Sequence, residues 1–437
     1  MWRSIVAWLS IAGLVTLLLW GLYQTPVAED LQRRAFSWYQ TDPQLFGGLD
    51  LVPIRWLQYL VFAIAAFGAT WVVIDVPRNS HRILFCVLAI AVIAALSPTL
   101  ALFSKLFEPA SGAVAVLLSL GFGLIYASSE WGRRKHSLRQ VFGGRVSKAT
   151  MYQMLSDQKP PALDGKNHDV VILTVRLFDH GLLAERLERS QLVDLTNRFL
   201  GATSDFLCAR GGFLDESSPD CVRVFFGLPI ADEAAPAKAC EAALELRQRL
   251  ANLAVECESR WTQRIQCGVA VCSGKVTAGI FGEGQQRHYS AVGGGIDLCR
   301  RLTSANLTYG TKILVDAPTY AAASEAFEFR PIDRFYVPGS DVVTEFYELL
   351  DAESQLSVQE AESRDEFWKA IIHLRDNRVQ EALAGFEAAR QATGDSAAPD
   401  LALLHFLEKT RELTVSGRGK AFGPTKPGDD IQAISTI

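Results

Sequence analysis

The residues able to do chemistry sit in a few short stretches. "VVILTVRLFD", Val170 to Asp179, is a run of β-branched and aliphatic residues interrupted by Arg176. Such a run reads as a strand buried on both faces. A guanidinium placed there is costly unless a carboxylate or another acceptor meets it. The alternative is that its head reaches solvent from the strand end. "GGG" at 293–295 offers backbone N–H groups that could cradle a phosphate, or a turn with no ligand. Asp297, Arg300 and Arg301 follow in "GIDLCRRL". His180 and His288 lie near loops and read as solvated surface histidines. The eight cysteines contain no CxxC pair, which argues against a zinc site or disulfide framework and for reduced thiols. Cys267 and Cys272 are five apart on a predicted strand and so face opposite ways.

The elements that must position these residues begin after a strongly apolar front. Ser4 to Leu22, Trp56 to Ile74, Ile83 to Phe103 and Ala110 to Ala127 are charge-free stretches of roughly bilayer-spanning length. No clear small-x-small cleavage site follows the first, so it reads as an uncleaved anchor. "WGRRKHSLRQ" after the fourth stretch and "PRNSHR" between the second and third are basic. By the positive-inside rule both are cytoplasmic, residues 24–55 form an extracytoplasmic loop, and everything after about Ser128 is cytoplasmic. The expected location is the cell (inner) membrane, multi-pass. The net charge of −5 gives no basic field, so nucleic acid is not an expected partner.

Five regions are expected: a transmembrane region 1–128, a coupling helix and loop 129–160, an α+β domain 161–351, a helical tail 352–415 and a disordered tail 416–437. Residues 129–156 read as one charged helix with Leu138, Val141, Phe142 and Val146 as its apolar stripe. In the α+β domain, a strand at Val170–Phe178 precedes a helix from about Leu182 to Ala209. "RGGFLDESSPDCVRVFFG" reads as a hairpin around a Ser-Ser-Pro-Asp turn. "RIQCGVAVCSGKVTAGIFG" reads as strand, glycine turn, strand. Hairpins mixed with helices indicate α+β rather than a doubly wound sheet. The tail contains three amphipathic helices that resemble one and a half tetratricopeptide units, too few to stand alone. It is expected to pack on its own domain or on a dimer partner. "SGRGKAFGPTKPGDD" is polar and rich in glycine and proline.

Four blocks, in order, carry a family resemblance: "VVILTVRLFDHGLLAERL", "GGFLDESSPDCVRVFFGLP", "GVAVCSGKVTAGIFG" and "YSAVGGGIDLCRRL". Residues 165–350 resemble the class III adenylate/guanylate cyclase catalytic domain. "LRQVFGGRVSKATMYQML" resembles the segment that couples membrane spans to such domains, and "EDLQRRAFSWYQ" is similar to the opening of CHASE2 sensor domains. The resemblance implies a ferredoxin-like core with an antiparallel-rich sheet, and a site shared between two chains. It implies ATP or GTP as substrate, with two magnesium or manganese ions held by two aspartates.

Carried across residue by residue, the resemblance assigns the first metal aspartate to Arg176 and the second to Asp220. The purine-selecting Lys falls on Glu216 and its companion on Ser290. The ribose-orienting Asn falls on Asp297, the charge-stabilising Arg on Arg301, and the glycine before the second metal position on Pro219. Two of the six functional positions thus keep their residue. Arg176 is expected to face Asp220 across neighbouring strands and pair with it, ideally through two hydrogen bonds. This implies an impaired cyclase-like protein that binds no metal as it stands and forms a homodimer or a heterodimer with another cyclase-like chain. The alternatives are an active cyclase, alone or in a heterodimer, and a non-catalytic purine nucleotide sensor.

Overall fold

The computed structural model describes residues 2–40, 52–76, 79–128, 137–138, 141–156, 165–283, 287–336, 343–393 and 399–416. The chain divides into two compact units, Met1–Gln140 and Val141–Ile437. Most of the basic stretch after Ser128, the loop around Pro160 and the tail after Ser416 lie outside the described residues.

In the first unit the helices are α1 (Trp2–Tyr23), α2 (Pro26–Gln40), α3 (Arg55–Asp75), α4 (Asn79–Ala101) and α5 (Ala110–Ser128). Among the described residues three helices are long and apolar enough to cross a membrane, with Ile5–Tyr23, Arg55–Asp75 and Ser80–Ala101 as the spans. The apolar part of α5, Ala110–Tyr126, is shorter. The expected loop at 24–55 contains the helix α2, whose first turn carries Glu29. Two short strands, β1 (Val52–Pro53) and β2 (Lys105–Leu106), pair in parallel. Small residues let the helices approach: a Cβ at Gly123 would meet Val73 Cγ1 at 2.6 Å, and one at Gly112 would meet Ile93 Cγ2 at 2.9 Å. Buried Glu108 caps α5 by accepting from Ser111 N at 3.2 Å, and Gln58 ties it to α3.

The second unit opens with α6 (Lys148–Ser156). The single helix expected over 129–156 is interrupted, because the chain turns at Gly144 with φ +77°. Glycine takes that left-handed conformation without a Cβ penalty. Next come β3 (Lys166–Leu177), α7 (His180–Arg186), α8 (Arg189–Leu200), a π-turn at Gly201–Asp205 and α9 (Phe206–Ala209). The long helix expected from Leu182 is therefore broken. A capping box between Glu188 and Gln191 restarts it as α8. Then follow β4 (Phe213–Ser217), β5 (Cys221–Phe226), α10 (Ala235–Trp261), β6 (Cys267–Phe281), β7 (His288–Val292), α11 (Gly294–Tyr309), β8 (Ile313–Asp316), α12 (Ala317–Ala323), β9 (Phe327–Tyr336) and β10 (Val343–Ala352).

The eight strands form one mixed sheet of order β4-β5-β3-β6-β8-β10-β9, with β7 also on β6. The β6–β8 pairing is parallel and the others are antiparallel. The α+β reading holds. The expected turn inside "CGVAVCSGKVTAGIF" does not, since β6 runs unbroken through Gly274. Along β3, Val171, Leu173 and Val175 join the core under α8 and α10. Ile172 and Thr174 point to the other face, towards α11, and are also buried. Both faces of β3 are thus covered, as its apolar run requires.

The tail is α13 (Val358–Arg375), α14 (Val379–Thr393) and α15 (Leu401–Ser416). It packs on its own domain: Tyr309 at the end of α11 stacks on Phe406, ring centroids 6.1 Å apart. All eight cysteines are free thiols.

Candidate functional site

Arg176 lies near the end of β3, opposite Cys221 of β5 and Gly268 of β6. By strand alternation its side chain shares a face with Ile172 and Thr174 and comes out beside α11. A Cβ at Gly268 would meet Phe178 Cζ and Thr303 O, each at 2.8 Å, so glycine there lets α11 lie close. Arg176 Nη1 donates to Ser304 Oγ on α11 at 3.2 Å. Its Nε stands 3.9 Å from Asp220 Oδ2, with the two side chains 30% and 37% exposed. The expected partners do meet, but as one ion pair beyond hydrogen-bond length rather than a two-bond pair. Asp220 immediately precedes β5, its carbonyl accepting from Leu177 N at 2.8 Å. Ser218 donates to Asp220 Oδ1 at 3.3 Å.

The neighbouring donors are poor for a divalent cation. Cys221 is adjacent, but burial first and then Glu216 push its thiol up to about 12, so no thiolate is on hand. Among the described residues no cluster of three His, Cys, Asp or Glu side chains has a metal-holding arrangement. A two-metal centre needs a set of carboxylates, and here one carboxylate stands beside a fixed guanidinium. The residues present do not fit the pair of ions that the resemblance implies.

Glu216 and Ser290 are joined by two residues that the sequence reading did not name. Arg223 of β5 reaches Glu216 Oε2 with Nη1 at 2.8 Å and Asp215 Oδ2 with Nη2 at 2.8 Å. Ser290 of β7 donates to the other oxygen of Asp215. A register shift between Leu214 and Glu216 turns Asp215 inward, where its side chain is 2% exposed. The bulge left no mark in the residue pattern. Arg223, facing Glu216 across a predicted hairpin, was the available signal.

Asp297 stands in the first turn of α11, 65% exposed, and pairs with Arg300 at 3.2 Å. Arg301 is half-buried and has no side-chain hydrogen bond or ion pair among the described residues. The glycines ahead of them have packing reasons. A Cβ at Gly293 would sit 2.9 Å from Lys275 O, and one at Gly295 3.2 Å from Ile172 Cδ1. Asp179 adopts φ +55°, uncommon for a non-glycine residue, and precedes α7, where His180 is the first residue. His288 begins β7 opposite Phe281.

No family model matches the chain. In sequence it is 21% identical over 193 residues to "Adenylate cyclase 1" of Rhizobium meliloti (strain 1021), covering 44% of this chain and 29% of that protein. It is 24% identical over 193 residues to an uncharacterised protein of Mycobacterium bovis, covering 44% and 34% respectively. Over this stretch the chain resembles class III adenylate/guanylate cyclase domains. Among solved structures, the adenylyl cyclase CyaB from P. aeruginosa matches 45% of this chain and 100% of its own, with 23% identity and a TM-score of 0.41. The matches span about a third of the length of these two sequence relatives. In chain order the stretch that resembles them follows the candidate membrane helices.

Proposed function

We propose that the chain is a membrane-anchored signalling protein whose cyclase homology domain makes no cyclic nucleotide as a homodimer. It acts as a dimerising regulatory module on the cytoplasmic side of the inner membrane. The observation that carries this is Arg176 beside Asp220 where the resemblance implies two metal-binding carboxylates. At about 4 Å and an effective dielectric near 20, each pair of unit charges interacts by about 4 kcal/mol. Exchanging a carboxylate for a guanidinium therefore disfavours a divalent ion by several kcal/mol. Each ~1.4 kcal/mol is about tenfold in rate. Pairing with a second cyclase-like chain does not restore the set. As metal holder this chain lacks one aspartate; as the other partner it offers Arg301 without the Asn or Lys.

The test is cyclic AMP and cyclic GMP production by the membrane-embedded protein given ATP or GTP with manganese. No product above background is expected. Robust manganese-dependent synthesis that disappears in Asp220→Ala would overturn the reading in favour of an active cyclase.

A further inference from the structure

One buried carboxylate of the membrane unit takes no part in the site described above. Glu108 lies between β2 and α5 and is 2% exposed. Its Oε1 accepts from Ala110 N and, at 3.2 Å, from Ser111 N. Its Oε2 accepts from Ser111 N and from Gln58 Nε2, each at 3.2 Å. Gln58 of α3 is also buried, donates to Ser111 Oγ at 2.7 Å and to the Glu108 carbonyl, and accepts from Glu108 N at 3.2 Å. Ser97 of α4 donates to the Phe107 carbonyl at 2.6 Å. The start of α3, the end of α4 and the start of α5 are thus tied together through residues 107–111.

Every hydrogen-bond partner of this carboxylate is an uncharged donor. Tyr23 of α1 lies within its electrostatic reach. Arg55 and Tyr59 of α3 and Lys105 of β2 stand at the same end, and on α2 Arg33 pairs with Glu29 and Arg34 with Asp30. Among the described residues none of these forms an ion pair or a hydrogen bond with Glu108. The end of α4 and all of α5 carry no charged residue. A Ser or Asn cap would meet the same helix N–H groups without burying a charge. A buried ionisable group in a membrane bundle is costly, and a shell of donors offsets that cost only while the group is ionised. Once protonated, the carboxyl has an O–H to place among groups that already donate to it, and its bonds to Gln58 and Ser111 lose their charge assistance. We propose that Glu108 is a proton-sensing latch, which holds this end of the bundle closed while ionised and lets it loosen in acid. In the orientation argued from the basic stretches this end faces away from the cytoplasm, so the input is acid outside the cell. The function proposed above names no input, and this one goes beyond it.

The experiment is hydrogen–deuterium exchange of the full-length protein in detergent between about pH 8 and 4, each rate scaled to that of an unstructured peptide at the same pH. The Ala110 and Ser111 N–H groups stand in the first turn of α5 and have no acceptor within the helix, so their protection reports the latch itself. That protection should fall by about tenfold or more as pH drops, the loss of a charge-assisted hydrogen bond. Glu108→Gln should show the low protection at every pH. Gln58→Leu removes a donor to the ionised form and keeps the carboxyl, so the transition should survive and move up by about one pH unit. Should Glu108→Gln fail to fold, the Gln58→Leu shift decides. Protection independent of pH in the wild type, a transition that persists in Glu108→Gln, or one unmoved in Gln58→Leu would each overturn the latch. So would loss of protection in the middle of α4 at the same pH, which marks general unfolding. Detergent exposes both faces to one pH, so the outcome does not depend on membrane orientation. No nucleotide enters these measurements: a failed latch leaves the proposed function standing, and cyclic nucleotide synthesis by the wild type would leave the latch standing.

Discussion

Arg330 Nη2 donates to Asp400 Oδ1 at 2.9 Å, joining strand β9 to the residue that caps helix α15. The same guanidinium pairs with Glu348 of β10 at 2.6 Å and lies 4.7 Å from the Phe367 ring centre on α13. Arg330 and Glu348 are each 8% exposed. Removing the cation would strand two carboxylates in a largely dry site, a change worth about 3–5 kcal/mol. Arg330→Ala is therefore expected to lower the thermal midpoint by several degrees and expose the tail to trypsin. An unchanged midpoint and digestion pattern would show that the tail is held by apolar packing alone.

Gly310 ends α11 at φ +69°, and a Cβ there would meet Leu401 Cα at 3.3 Å and its carbonyl carbon at 3.1 Å. Gly211 has φ +94° with nothing within 4 Å of its Cβ position. Gly211→Ala should cost about 1 kcal/mol, the conformational penalty alone. Gly310→Ala should cost distinctly more, because it also pushes α15 away. Denaturant midpoints of the two variants measure the difference, and equal losses would show that the α11–α15 contact yields freely.

Asp316 is 1% exposed, accepts from Ser273 N at 3.1 Å and caps α12 through Thr319 N at 3.0 Å. Burial outweighs these hydrogen bonds and raises its pKa to about 6. Between about pH 4 and 6 the folded chain keeps a proton that the unfolded chain has released. Stability from this group therefore falls as pH rises through that window and is level above it. The swing is on the order of 2–3 kcal/mol. Asp316→Asn should remove it, so the stability gap between wild type and variant should change from pH 4 to 6 and stay constant from 7 to 8. A gap independent of pH would show that the carboxyl ionises normally.

The α+β class and the central strand were legible because β3 is apolar at both parities and both its faces are covered. The meeting of Arg176 with Asp220 followed from aligning four motif blocks in one register. What failed failed at glycines and caps. Gly274 read as a turn, yet its nearest neighbour is Gly295 Cα at 3.9 Å from its Cβ position. An ordinary contact at that distance leaves room for a side chain, so strand β6 passes through Gly274 with no turn. Glu188 and Gln191 form a capping box that starts a new helix, and helical periodicity across it hides the break. The Asp215 bulge and the Ser304 partner of Arg176 depend on register and crossing geometry, which residue types alone leave open.

Membrane orientation rests on the basic stretches, so it needs a direct measurement. A reporter fused after Ile437 is expected to behave as cytoplasmic, and one inserted near Asp42 as extracytoplasmic. Periplasmic activity of the C-terminal fusion would overturn the cytoplasmic placement of everything after Ser128.

Arg176→Asp separates metal binding from catalysis. It would place a second carboxylate near Asp220, on a strand already fixed by the Leu177 N to Asp220 O hydrogen bond of 2.8 Å. Two oxygen-donor side chains at adjacent strand ends suit a hard divalent ion. Manganese binding should be measurable by electron paramagnetic resonance in Arg176→Asp and not in the wild type. Cyclic nucleotide synthesis should not follow, because the positions that resemblance gives to an orienting Asn and a purine-selecting Lys still hold Asp297 and Glu216. Glu216 is also tied to Arg223 at 2.8 Å, so repairing the metal site leaves the other half as it was. Adding Glu216→Lys and Asp297→Asn should recover a trace of product. Full activity from Arg176→Asp alone would show that Asp297 and Glu216 do not prevent synthesis.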